Sequence, residues 1–183
     1  MRKIISKLYL LKIFKRLIPS LIKIYTFFIS RKIKISHKNF FILLNLKNPI
    51  DREIYLKDTY EPKQLEFLKN IIQKENIKYF FDIGAHMGYY SLNLAIDKNM
   101  NIHSVEPFIE NFQQLESNKK INNFENIKTY NLALSNKKQE IKMWVSDKKK
   151  TGGFAVLNLN DEELKKYNKL ENYEVNAISE MGD

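Results

Sequence analysis

Residues 80–90 read Phe-Phe-Asp-Ile-Gly-Ala-His-Met-Gly-Tyr-Tyr. An apolar run ends in Asp82, breaks at Gly84 and Gly88, and resumes with residues that suit a helix. The pattern is strand, tight turn, helix. It predicts backbone N–H groups and a helix N-terminus beside a small ligand lying over the strand end. Eighteen residues after Gly88, a second apolar run over 102–105 ends in Glu106, whose carboxylate can accept hydrogen bonds from a ribose diol. A lone Gly-x-x-x-Gly says little. This one follows a strand, has an acid two residues ahead, and is answered by a second strand-end acid.

A nicotinamide dinucleotide site shares the strand-turn-helix and the later acid. It uses Gly-x-Gly-x-x-Gly, which lets the backbone approach a pyrophosphate closely. Here Ala85, His86 and Met87 separate Gly84 from Gly88, so the Gly-x-Gly pair is missing. Asp82 would repel a pyrophosphate and attract an ammonium group. A nucleoside carrying an amino acid satisfies all of these features, and S-adenosylmethionine is such a molecule. The dinucleotide and a purely structural turn are the competing readings.

At these residues the chain resembles a family. Asp82, Ile83, Gly84, Ala85, His86, Met87, Gly88, Tyr89, Tyr90, Ser91 and Leu92 are followed by Val105, Glu106 and Pro107, with Asn111 and Leu115 beyond. Asn131, Leu132, Ala133, Leu134, Ser135 and Asn136 come next. The ordered set, with Tyr60 and Glu61 ahead of the first core strand, resembles the FkbM-type methyltransferases over about residues 55–146. The resemblance implies a Rossmann-like, class I methyltransferase α/β fold and S-adenosylmethionine as cofactor. It places Asp82, Gly84 and Gly88 on the methionine side, Glu106 on the ribose, and the turn near Ala133 beside the adenine. Ala85, His86, Tyr89 and Pro107 complete the candidate cofactor set. His86 departs from the family, which more often has Asn there; both can hydrogen-bond within a turn.

The net charge of +10 is confined to one end. Residues 1–50 hold twelve Lys or Arg and no acid; the remainder holds nineteen basic and twenty-one acidic residues, a net −2. The pI therefore does not make the whole chain a nucleic-acid binder. On a helical wheel, Leu10, Leu11, Ile13, Phe14, Leu17, Ile18, Leu21, Ile22, Ile24 and Tyr25 share one half. Lys12, Lys15, Arg16, Pro19, Ser20 and Lys23 share the other, and Pro19 should kink or divide the helix. The uncharged runs fall short of the 18–20 residues of a membrane span. A basic amphipathic helix over residues 8–25 suits the surface of an anionic membrane. Packing on the domain or a partner is the close alternative, and RNA contact is weaker. The expected location is cytoplasmic, peripheral at the inner face of the membrane.

Three regions follow. Residues 1–30 form the arm and 31–60 short strands, at 32–35, 39–46 and 53–56, with a turn at Asn48-Pro49. Residues 61–183 form the cofactor domain. Within it a helix opens at Glu61-Pro62, with Leu65, Leu68, Ile71 and Ile72 inward. Strand 77–83, helix 89–96, strand 102–105, helix 107–120 with Phe108, Phe112 and Leu115 inward, strand 127–132 and strand 140–145 follow. Alternating strands and helices predict a parallel sheet. Beyond residue 148 the periodicity fades: a loop at 151–153 and a polar helix or loop at 161–170. The acidic strand-end motif that the family carries next has no match, so a truncated sheet is expected, with strand 77–83 lacking a neighbour.

No nucleophile–base pair and no metal-ligand spacing stand out, and the chain has no Cys, so thiolate chemistry is excluded. His86 reads as a locally bonded turn residue, His37 and His103 as surface or strand-end residues, Trp144 as core. The implied activity is methyl transfer to a sugar or other small hydroxyl acceptor. The alternative is an inactive fragment that works as a membrane-surface or partner-binding module.

Overall fold

A computed structural model describes residues 5, 7, 9, 11, 14–28, 32–135, 139–145, 155–157 and 171–178. Helix α1 spans Phe14–Phe28 and runs through Pro19. It buries Ile18 and Ile22 in the same apolar cluster as Ile42, Leu44 and Ile54, while Leu17, Leu21 and Ile24 stay exposed. The expected apolar half is thus split between protein and solvent.

Strands β1 (Lys32–His37) and β2 (Phe40–Asn45) form an antiparallel hairpin closed at Lys38-Asn39, with His37 opposite Phe40. Lys38 takes the left-handed conformation, φ 50°, that such a tight turn demands. His37 is not a surface residue. It is fully buried, bonded through Nδ1 to Asp58 at 3.1 Å and packed edge-on against Phe40.

Asn48-Pro49 starts a helix rather than a turn, and the strand expected at 53–56 is part of α2 (Pro49–Lys57). Asn48 caps it by accepting the Ile50 N–H at 3.0 Å. Proline at the first helical position loses no hydrogen bond, since that N–H has no partner in a helix anyway. Helix α3 (Pro62–Lys74) repeats the device, with Pro62 at its start and Leu65 buried.

The central sheet is parallel, with order β3-β4-β5: Tyr79–Ile83, Asn101–Val105 and Ile127–Tyr130. Helices α4 (Tyr89–Leu94) and α5 (Ile109–Ile121) make the crossovers. Tyr79, Phe81 and Ile83 stand exposed on one face of β3, whose outer edge has no strand partner among the described residues. Phe81, His103 and Tyr130 stack across the three strands, with centroids 4.9 and 5.8 Å apart. His103 thus has partners that its sequence neighbours did not reveal.

A second sheet has the order β6-β9-β7-β8, from Ala133–Leu134, Glu171–Ile178, Gln139–Val145 and Ala155–Leu157. Strand β6 runs parallel to β9, and β7 lies antiparallel to both β8 and β9. The strand expected at 140–145 therefore exists but joins this sheet, and 171–178 is a strand that the fading periodicity had hidden. Positions 148–153 and 161–170, and the Trp144 side chain, lie outside the described residues.

Candidate functional site

Parallel pairing in register sets Asp82 beside Ser104 and Ile83 beside Val105. The first strand-end acid and the second, one residue past Val105, therefore reach the same end of the sheet. Between them the turn 84–88 takes three left-handed steps: Gly84 at φ 77°, His86 at 53° and Gly88 at 88°. His, with Asn and Asp, is among the side chains best tolerated there, which gives a backbone reason for finding His86 where Asn is the commoner residue. Gly88 is required twice over. Its conformation is left-handed, and a Cβ there would lie 2.4 Å from Leu115 Cδ1. A Cβ on Gly84 would meet nothing within 4 Å, so open space adjoins that side of the turn.

The turn does not present a row of free N–H groups. Gly84 and Ala85 donate to the Val105 carbonyl at 2.9 and 3.0 Å, and Gly88 donates to the Ala85 carbonyl at 2.8 Å. His86 N–H donates to Glu106 Oε2 at 2.7 Å. Expected ligand donors are here turn-forming bonds, because five residues that reverse direction this tightly must satisfy their own backbone.

Glu106 is 5% exposed. Besides His86, its carboxylate accepts from Phe108 N–H at 3.0 Å and Asn111 Nδ2 at 3.3 Å. Burial raises its pKa above the ordinary carboxylate value, and these donors oppose the rise. A carboxylate offers about four lone-pair sites, so three donors leave about one open. Asn131 Nδ2 staples the carbonyls of Glu106 and Pro107 at 2.8 and 3.0 Å, just ahead of buried Ala133.

Asp82 is turned toward α4. Its Oδ2 accepts from Ser91 N–H at 3.2 Å and Ser91 Oγ at 2.5 Å, and Ser104 Oγ lies 2.7 Å from Ser91 Oγ. It therefore caps the first turn of α4, and its Oδ1 has no donor among the described residues. Burial raises its pKa. On the same side, Tyr90 donates to Glu61 Oε2 at 2.6 Å. Burial is the first cause of the raised Tyr90 pKa; Glu61 and, less strongly, Asp82 add to it. Tyr89 is buried, its hydroxyl accepting the Tyr60 N–H at 3.1 Å. The chain before β3 thus brings Glu61 to Tyr90 on α4, a pair that sequence spacing did not join.

His86 does not bond locally. Its Nε2 lies 2.8 Å from Asn48 Nδ2. Because Asn48 Oδ1 accepts from Ile50, its amide nitrogen is the donor to His86, whose ring is then neutral with the proton on Nδ1. Burial lowers the His86 pKa to about 4, consistent with that assignment. A separate cavity of about 540 Å³ opens at the opposite end of the sheet, between Lys69, Asn76, Asn93 and Met100, and none of the turn residues line it.

No protein-family model matches the chain, and no curated protein matches it. Among solved structures it is similar to a SAM-dependent methyltransferase from Agrobacterium tumefaciens, with 13% identity and a TM-score of 0.44, over 57% of this chain and 33% of that one. The chain thus spans about a third of that protein's length. A likeness so partial carries no argument about the site, and the resemblance to the FkbM-type family rests on the motifs themselves.

Proposed function

We propose that this chain binds S-adenosylmethionine and belongs to an enzyme that transfers its methyl group to a hydroxyl of a sugar or another small acceptor. One observation supports this above the others: Asp82 and Glu106 reach the same sheet end across a turn that lacks a pyrophosphate cradle. The residues fit the cofactor's chemistry. Asp82 Oδ1 and Glu61 offer negative charge to an ammonium group. Glu106 keeps an open lone-pair site for a ribose hydroxyl, and Gly84 leaves space beside the turn. A second ribose hydroxyl would replace the longest of the three bonds at Glu106, that from Asn111.

The bound cofactor supplies a sulfonium methyl group already activated for displacement. The chain's own residues then have to orient it and exclude water, since aligning two reactants supplies much of the acceleration in such a reaction. A hydroxyl acceptor also needs a group to take its proton. Tyr90 and Glu61, both part-buried, are already bonded to each other, so no base is assigned.

Calorimetry with S-adenosylhomocysteine and with NAD tests the reading. Binding of the former with NAD at least tenfold weaker is the expected result; equal or tighter NAD binding overturns it. A second reading, in which the chain acts by contact alone, is favoured by the exposed Tyr79, Phe81 and Ile83 on one face of β3, whose outer edge has no strand partner among the described residues. Methyl transfer to any glycan acceptor would dismiss that reading.

A further inference from the structure

We infer that α1 seats the protein on the surface of an anionic lipid bilayer through Leu17, Leu21 and Ile24. The helix already commits one apolar face to the domain, where Ile18 and Ile22 are each 8% exposed. Leu17, Leu21 and Ile24 remain 54%, 61% and 58% exposed. Spaced four and three residues apart, they form one stripe about 10 Å long. It lies roughly a third of a turn around the helix from the buried pair, so docking on the domain leaves it free. Leu11, also exposed, precedes it.

Charge selects the occupant. The first fifty residues carry twelve cationic side chains and no acidic one. A second copy seated on the stripe would cover it but bring two such cationic arms together, which repel. A nucleic acid would neutralise the cations but leave three large aliphatic side chains in water. An anionic bilayer does both at once: lipid headgroups meet the cations while the acyl boundary takes the stripe. No helix among the described residues is long and apolar enough to cross a membrane, so the geometry is that of a helix lying in the surface plane.

The test is co-sedimentation of the full chain with vesicles of phosphatidylcholine alone, or mixed with phosphatidylglycerol. At about 0.1 M salt, binding to the anionic vesicles should be at least tenfold tighter, and should weaken as salt is raised. Leu17→Ser with Leu21→Ser should lower that binding about tenfold or more. Circular dichroism should be unchanged, since both side chains are exposed. If the double variant misfolds, Ile24→Asn replaces it with the same expectation. The inference is overturned by equal binding to neutral and anionic vesicles, or by a variant that binds as well as the parent. It is equally overturned by a dimer that the substitutions dissolve while vesicles are ignored, or by RNA binding that outcompetes vesicles.

Discussion

Asn118, on α5, holds Leu43, on β2, as a neighbouring strand would: its Oδ1 accepts the Leu43 N–H at 2.6 Å. Its Nδ2 donates to the Met87 carbonyl at 3.1 Å, inside the turn of the candidate site. One turn away on either side the pattern repeats. Gln114 Nε2 donates to the Leu43 carbonyl at 2.9 Å, and Asn122 engages both the N–H and the carbonyl of Phe41 at 2.7 Å. Asp51 completes it by accepting the Asn45 N–H at 2.6 Å. Amide side chains at 114, 118 and 122 thus satisfy the outer edge of β2, which removes an unpaired strand edge and ties the hairpin to the turn.

Asn118 should therefore be the costliest of the three to replace. Asn118→Leu keeps the size but strands the part-buried Leu43 N–H and the buried Met87 carbonyl, at about 2–4 kcal/mol. Asn122→Ala, at a half-buried position beside the exposed Phe41, should cost about 1 kcal/mol. Urea unfolding midpoints of the two variants decide this, and equal losses would contradict it.

The two turn glycines should separate. Gly84→Ala meets only backbone strain, about 1–2 kcal/mol. Gly88→Ala adds a collision with buried Leu115 and should cost about 2–4 kcal/mol. Thermal melting of the pair would show the difference, and Gly84→Ala should still weaken cofactor binding because its Cβ occupies the open side of the turn.

Two groups whose pKa values burial shifts oppose one another with pH. Burial, set against bonds from Gln114 and Asn45, raises the Asp51 pKa to about 6. Raised in the folded state, Asp51 contributes stability that is complete below its unfolded value near 4 and is lost as pH rises through 6. His86, lowered to about 4, contributes stability that is complete above its unfolded value near 6.5 and is lost as pH falls through 4. Between pH 4 and 6.5 the two partly cancel in the parent. Asp51→Asn should then become less stable as pH falls across that window, and His86→Asn more stable. Denaturant midpoints at both pH values check the signs.

Glu106 should dominate cofactor affinity. Glu106→Gln keeps the size but turns an acceptor into a donor facing the His86 N–H and removes the charge. A loss of about 1.5–3 kcal/mol in S-adenosylhomocysteine binding is expected. Calorimetry reads it directly; an unchanged Kd would remove Glu106 from the site.

The strand, turn and helix at 80–90 and the second acid were legible without coordinates because their determinants are local. Glycines mark left-handed backbone, and apolar periodicity marks which face of an element is buried. The order of helices and strands from Pro62 to Tyr130 follows from the same local signals. Asn48-Pro49 reads as a turn, since only the helix behind it, which buries Ile54 and Leu56, shows the pair to be a cap and first helical residue. Other features had no local sign. The bonds from Asn118 to Leu43 and from His86 to Asn48 join residues 75 and 38 positions apart. The turn's N–H groups find Val105 and Glu106 only once β3 and β4 are paired in register. The apolar half of α1 divides into packed and exposed stripes only when the core forms and takes up Ile18 and Ile22. Periodicity states which residues leave water; which partner receives them, and which polar groups are thereby used up, depends on chain segments meeting across distances that no sequence window spans.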